Sequence, residues 1–137
     1  MYSKQSLKRK VTKPPFKKPP KYNNRKVEID GHKFDSKLEA QYYVFLKHKK
    51  KQGKILDFEL QPRFELEPKF KFEGKTYQKE EYVADFEVLH LDGTTQIIDC
   101  KGVMTDLFRS KAKRYVRKYG KLYLVKSSRA GFKLEEF

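Results

Sequence analysis

The stretch from Thr95 to Val125 constrains the fold more than any other part of the chain. Thr95 to Lys101 reads as a β-strand, and Leu122-Tyr123-Leu124-Val125 reads as another. Between them Thr105 or Asp106 can cap a helix running to about Tyr119, where Gly120 stops it. Its expected buried side is Leu107, Phe108, Ala112, Tyr115, Val116 and Tyr119. If the two strands are neighbours, a helical crossover makes them parallel, with a right-handed connection.

The segments before this unit read as a helix and short strands with tight turns. Val27 to Phe34 is a hairpin about Asp30-Gly31. Ser36-Lys37-Leu38-Glu39 has capping-box form and opens a helix to about Lys51, ended by Gly53. Leu38, Tyr42, Phe45 and Leu46 form its apolar stripe. Ile55 to Leu60 alternates, with Leu56, Phe58 and Leu60 on one face. Phe64-Glu65-Leu66 and Phe70-Lys71-Phe72 are shorter strands, the second turning at Glu73-Gly74. Tyr82 to Leu91 reads as one strand, joined to the Thr95 strand through Asp92-Gly93. The tail from Ser127 gives no signal. The expected fold is α/β, a mixed central β-sheet flanked by helices.

Length favours a single domain, residues 27–137, preceded by an arm. Residues 1–26 hold ten Lys or Arg, no acid, and Pro14, Pro15, Pro19 and Pro20. Such a segment buries too little apolar surface to offset its ordering entropy, so a disordered basic arm is expected, with Lys17 and Lys18 among its phosphate contacts. The net charge of +15 points to a polyanionic partner, most often nucleic acid. Residues 27–100 carry 12 basic and 15 acidic side chains, and residues 101–137 carry 11 and 3, so the excess lies at the two ends. Arg109, Lys111, Lys113, Arg114, Arg117 and Lys118 all fall on the second helix, which would bring phosphates toward Asp99, with Arg109, Lys111, Lys113 and Arg114 as the expected nucleic-acid contacts. A single cysteine excludes a disulfide framework and a Cys-based zinc site, and fits an intracellular, reducing location. There is neither a spanning apolar run nor an apolar leader, so no membrane association is expected.

Within the strand Ile97-Ile98-Asp99-Cys100-Lys101-Gly102, residues two apart share a face, so Asp99 and Lys101 project together. Metal-assisted phosphodiester hydrolysis needs hard oxygen ligands and a cation beside the scissile phosphate. Asp99 and Lys101 can supply one ligand and the cation, and Asp85 on the preceding strand is the second carboxylate. The Asp92-Gly93 turn decides whether they meet. A two-residue loop pairs residues whose numbers sum to 185 and turns Asp85 away from Asp99. A three-residue loop with Gly93 in the left-handed position gives 184 and sets them opposite each other, as would a bulge. One of the latter is expected. Gly74-Lys75-Thr76 lacks the upstream glycine of a phosphate-binding loop, because residue 69 is Lys. His32, His48 and His90 have no ligand spacing.

The order Glu39 on a helix, Asp85 on a strand, Asp99-Cys100-Lys101 on the next strand and then a helix resembles the PD-(D/E)XK nuclease superfamily. The closer likeness is to small phage-encoded, Holliday-junction-resolvase-like endonucleases, and more loosely to the TnsA transposon endonuclease. Phe34-Asp35-Ser36-Lys37-Leu38-Glu39, Leu60-Gln61-Pro62, Tyr82-Val83-Ala84-Asp85-Phe86 and Asp99-Cys100-Lys101-Gly102 carry it, over residues 27–126. The sequence departs from the pattern at Ala84, where the superfamily has Pro, and at Asp99, where Glu is common. The resemblance implies a restriction-endonuclease-like core and Mg²⁺-dependent cleavage of branched DNA such as Holliday junctions, with Mn²⁺ as a substitute. It implies metal ligation by Asp85 and Asp99, with the Cys100 carbonyl, and with Glu39 directly or through water. Lys101 would activate water or offset phosphorane charge, and Gln61 would stand beside these groups. Two symmetric cuts would need a homodimer, and a phage-encoded protein would act in the host cytoplasm. The alternative is a non-catalytic basic nucleic-acid-binding module, which accounts for the arm and helix but not for a carboxylate pair.

Overall fold

A computed structural model describes residues 26–137; the expected disordered arm, with Lys17 and Lys18, lies outside the described residues. The elements in order are β1 (Val27–Ile29), β2 (His32–Phe34), α1 (Lys37–Lys51), β3 (Asp57–Leu60), β4 (Arg63–Glu67), β5 (Phe70–Phe72) and β6 (Lys75–Tyr77). They continue as β7 (Glu80–Val83), β8 (Phe86–Leu89), β9 (Thr95–Cys100), α2 (Asp106–Tyr119), β10 (Leu122–Ser128) and β11 (Gly131–Glu136). The central sheet has five strands in the order β11-β10-β9-β8-β3. β9 and β10 are parallel, as the α2 crossover demands, and the other pairs are antiparallel, so the fold is α/β with a mixed sheet. No helix among the described residues is long and apolar enough to cross a membrane.

Local chemistry explains most boundaries. Ser36 caps α1, its Oγ accepting the Glu39 N–H at 3.2 Å. Gly53 at φ 71° closes the helix: its N–H donates to the Lys50 carbonyl and that of Lys54 to the Lys49 carbonyl. Thr105 caps α2 in the same way through the Phe108 N–H. Asp30-Gly31 and Glu73-Gly74 both adopt the left-handed pair of a two-residue hairpin turn.

The core lies on the two faces of the sheet. On one, α1 packs Tyr42 and Leu46 against Phe86, Val88, Ile98 and Val125. On the other, α2 packs Phe108, Ala112 and Tyr115 against Tyr82, Ala84, Ile97 and Leu122. Burial of each large side chain contributes about 1.5–3 kcal/mol.

Four expectations change. The strand expected from Tyr82 to Leu91 is two strands, broken at Ala84-Asp85. β7 pairs with β4, whereas β8 pairs with β3 and β9, so the chain rotates as it passes from one sheet to the other. Tyr82 and Ala84 consequently face α2, while Phe86 and Val88 face α1. In the first strand of the sheet, Leu56 is exposed and Ile55 buried, because regular pairing begins only at Asp57. Leu107 is 66 % exposed and Tyr119 is also exposed; they lie at the two ends of α2, and its buried residues are Phe108, Ala112 and Tyr115. The tail after Ser127 completes β10 and forms β11, an edge strand paired from Gly131 to Glu136.

Candidate active site

The β8–β9 turn has the three-residue form. His90 N–H donates to the Thr94 carbonyl and Gly93 N–H to that of His90, with Gly93 at φ 86°. Asp92 holds the loop, its Oδ1 accepting from the Thr94 N–H at 2.9 Å and from the Thr94 hydroxyl at 2.6 Å. Phe86 then pairs with Ile98 and Leu89 with Thr95, the 184 register. Asp85 lies just beyond the end of this ladder, and its carboxylate stands close enough to Asp99 for that neighbour to shift its protonation.

Asp85 is clamped where four strands exchange partners. Its N–H donates to the Ile98 carbonyl at 3.2 Å, and its carbonyl accepts from Gln61 N–H at 2.9 Å. Its carboxylate Oδ2 accepts from the Cys100 N–H at 2.7 Å. Gln61 sits at φ 51°, an uncommon conformation for a residue with a side chain, where β3 bends into β4. The bend at Gln61-Pro62 faces the bend at Ala84-Asp85, joined by Ala84 N–H to the Pro62 carbonyl at 3.1 Å. Both strands of the pair thus turn together, and Gln61 is carried to the cleft wall beside Asp85.

Asp99 is 1 % exposed. Its Oδ2 accepts a hydrogen bond from the Tyr82 hydroxyl. Its Oδ1 is buried with no hydrogen-bond partner; the nearest cation is the Lys101 Nζ at 3.9 Å. A buried carboxylate oxygen left in this state is costly. Lys101 is half-buried, its ammonium 4.9 Å from the centre of the Phe108 ring. Burial, together with the neighbouring Asp99 and Glu39, pushes the Asp85 carboxyl far above the ordinary carboxylate range. Glu39 is pushed up to about 7, first by burial and then by Asp35. Its Oε1 accepts from the hydroxyl of the capping Ser36 at 3.5 Å, and Glu39 also lines the cleft.

Glu39, Gln61, Asp85, Cys100, Lys101 and Phe108 wall one cleft of about 500 Å³; Asp99 is buried and does not itself line it. Among the described residues, no three His, Cys, Asp or Glu side chains gather into a ready-made metal cage. Asp85 and Asp99 form a pair, and Glu39 stands at the rim. The pair nevertheless fits a divalent cation: one oxygen of Asp99 lacks a partner, and two adjoining carboxylates resist ionising together without positive charge. Cys100 is buried in the core cluster beneath α1 and also lines the cleft.

A family profile described as "Protein of unknown function (DUF1064)" matches residues 19–135. The chain belongs to the DUF1064 family. No curated protein and no solved structure matches it. The cleft of this DUF1064 chain therefore has to be interpreted from its own chemistry.

Tyr82 is the site residue that sequence reasoning did not single out. It reads as one more apolar position in an alternating strand, yet its hydroxyl fixes Asp99. The available signal was the residue type, since a buried Tyr, unlike a Phe, needs a polar partner. The six cations of α2 divide into two sets. The Arg114 guanidinium grips Glu80 through both carboxylate oxygens, at 2.8 and 3.0 Å. Lys111 and Lys118 donate to the backbone carbonyls of Glu81 and Glu65. Arg109, Lys113 and Arg117, spaced four apart, are exposed and pair with no carboxylate among the described residues.

Proposed function

We propose that this DUF1064 protein is a divalent-metal-dependent endonuclease that cuts DNA, with branched DNA as the preferred substrate. The observation that carries this reading is Asp85 at the cleft wall against the buried Asp99, one Asp99 oxygen unpartnered, with Lys101 beside them. Mg²⁺ bound there would act as a Lewis acid on a phosphoryl oxygen and favour an ionised water. Asp85 and Asp99 would hold it, with Mn²⁺ as a substitute and the Cys100 carbonyl as a further oxygen. Tyr82 and the Cys100 N–H fix the orientation of the two carboxylates. Lys101 sets a positive charge where the phosphoryl oxygens gain negative charge. Glu39 and Gln61 line the same cleft. Water adds to phosphorus, one P–O ester bond breaks, and the departing oxygen takes up a proton. Cutting both strands symmetrically requires two such clefts, hence a homodimer.

The test is incubation of the full chain with linear, nicked, flapped and four-way DNA, with Mg²⁺ or with EDTA. The expected result is cleavage in Mg²⁺, fastest on four-way DNA, and none in EDTA. Binding to DNA with neither cleavage nor calorimetric Mg²⁺ uptake would overturn the reading in favour of a non-catalytic nucleic-acid-binding module.

Arg109, Lys113 and Arg117 are assigned to the DNA backbone. Replacing all three with Ala should lower the slope of log affinity against log salt by about 2.7, three phosphate contacts at about 0.9 each. Arg114→Ala should leave that slope unchanged, since its charge is committed to Glu80. Anisotropy titrations over a salt series measure both, and an unaltered slope in the triple variant would remove this helix face from the interface.

A further inference from the structure

The β5–β6 hairpin has no role in the cleft and carries an unusual surface. β5 and β6 pair only with each other and continue the ribbon that β4 and β7 begin. All six of their residues are exposed. Phe70 pairs with Tyr77 and Phe72 with Lys75, so these four side chains share one face. Phe70 is 44 %, Phe72 61 % and Tyr77 38 % exposed. The Phe70 and Tyr77 rings stack at 4.8 Å and 8°, and the Lys75 Nζ lies 5.1 Å from the Tyr77 ring. A two-stranded hairpin is marginal on its own, and an exposed aromatic face implies a partner that covers it.

Charge selects the partner. Residues 69–79 hold Lys69, Lys71, Lys75 and Lys79 against Glu73 alone. A second copy docking its own hairpin face to face would bring these lysines together, whereas a polyanion with flat apolar groups satisfies both the rings and the ammoniums. Unpaired nucleic-acid bases have that chemistry. The ribbon also runs directly from the site: Tyr77 precedes Val83, at the cleft wall, by six residues, at most roughly 20 Å of strand.

We propose that this hairpin is a base-stacking wing, in which Phe70, Phe72 and Tyr77 cover bases exposed at a branch point while Lys71 and Lys75 meet the flanking phosphates. This rests on the reading that DNA is the partner, and it gives the preference for branched DNA a physical source. A fully stacked linear duplex offers no free base face, so the wing acts on it only through charge.

The chain contains no tryptophan, so Phe72→Trp installs a single reporter at an exposed position. In the full chain, with Lys101→Ala to prevent cutting, its fluorescence should be quenched by four-way DNA and little changed by linear duplex. Phe72→Ala with Tyr77→Ala should weaken four-way binding by about tenfold or more, and linear binding by less than about twofold. Equal losses on the two substrates, no loss on either, or a change in self-association with DNA binding intact would each overturn the wing. No cleavage enters these readings. A parent chain that never cuts, together with selective quenching in the Phe72→Trp variant, would remove the nuclease reading and leave the wing. A chain that cuts without selective quenching would do the reverse.

Discussion

Lys101→Ala is expected to lower Mg²⁺-dependent cleavage of four-way DNA by about 10²–10³-fold, the scale for removing one well-placed charge from a developing oxyanion. The side chain is half-buried, and its structural contacts are the ammonium's approach to Asp99 at 3.9 Å and to the Phe108 ring. Asp85 and Asp99 are untouched, so the variant should still take up Mg²⁺ and still bind DNA. That combination separates a lost catalytic charge from a damaged site. Affinity for four-way DNA should change by less than about threefold, since one cation among many contributes little to backbone binding. Cleavage at the parental rate by this variant would sink the assignment of Lys101.

The part of this site most legible in the sequence is its register. Side chains on a strand alternate with a period of two, so the parity of the turn at Asp92-Gly93 sets which residues of β8 and β9 face each other, as far as Phe86 and Ile98. A Gly in the third loop position supplies the left-handed residue that parity requires, and Gly93 adopts it. Helix limits are equally local, because Ser36, Gly53, Thr105 and Gly120 each act on the backbone beside them.

What escaped the sequence depends on neighbours remote in the chain. Tyr82, Ala84, Phe86 and Val88 alternate without interruption, and nothing within them announces a change of sheet. The break arises because β4 begins only at Arg63, opposite Val83, while β3 and β9 receive the chain from Phe86 onward. That rotation puts the Tyr82 hydroxyl on Asp99, a contact no spacing rule contains. The terminal strand β11 has only Phe132 and Leu134 as apolar side chains among charges, and β10 must exist before it has a partner. Leu107 and Tyr119 satisfy helical periodicity, but their places at the ends of α2 leave them outside its contact with the sheet.

Asp85→Asn is expected to strengthen the metal-free fold while removing its response to Mg²⁺. The parent carboxyl accepts the Cys100 N–H and stands against Asp99, whose Oδ1 has no donor. An amide there keeps an oxygen for Cys100 and presents an N–H₂ to Asp99 at every pH, whereas the parent carboxyl can donate only while it holds its proton, so the variant's advantage grows as pH rises. The pH dependence gives the sign. Asp85 and Glu39 both bind protons more tightly folded than unfolded. Their contribution to stability is complete below the ordinary carboxylate range and declines as pH rises, through about 7 for Glu39 and beyond that for Asp85. Asp30, Asp57, Glu80, Asp92 and Glu135 are shifted downward and act oppositely, but only below about pH 5. In EDTA the parent should therefore lose stability steadily from pH 5 to 9, and Asp85→Asn should flatten the portion above 7. At pH 8 the variant should melt several degrees higher, for a gain of about 1–2 kcal/mol. Mg²⁺ at 100 times its Kd should stabilise the parent by about 2.7 kcal/mol and leave the variant unmoved. Thermal melts with EDTA and with Mg²⁺ across this range measure all three effects. A variant that melts lower in EDTA and retains the Mg²⁺ shift would show that Asp85 is a structural carboxylate and not a ligand.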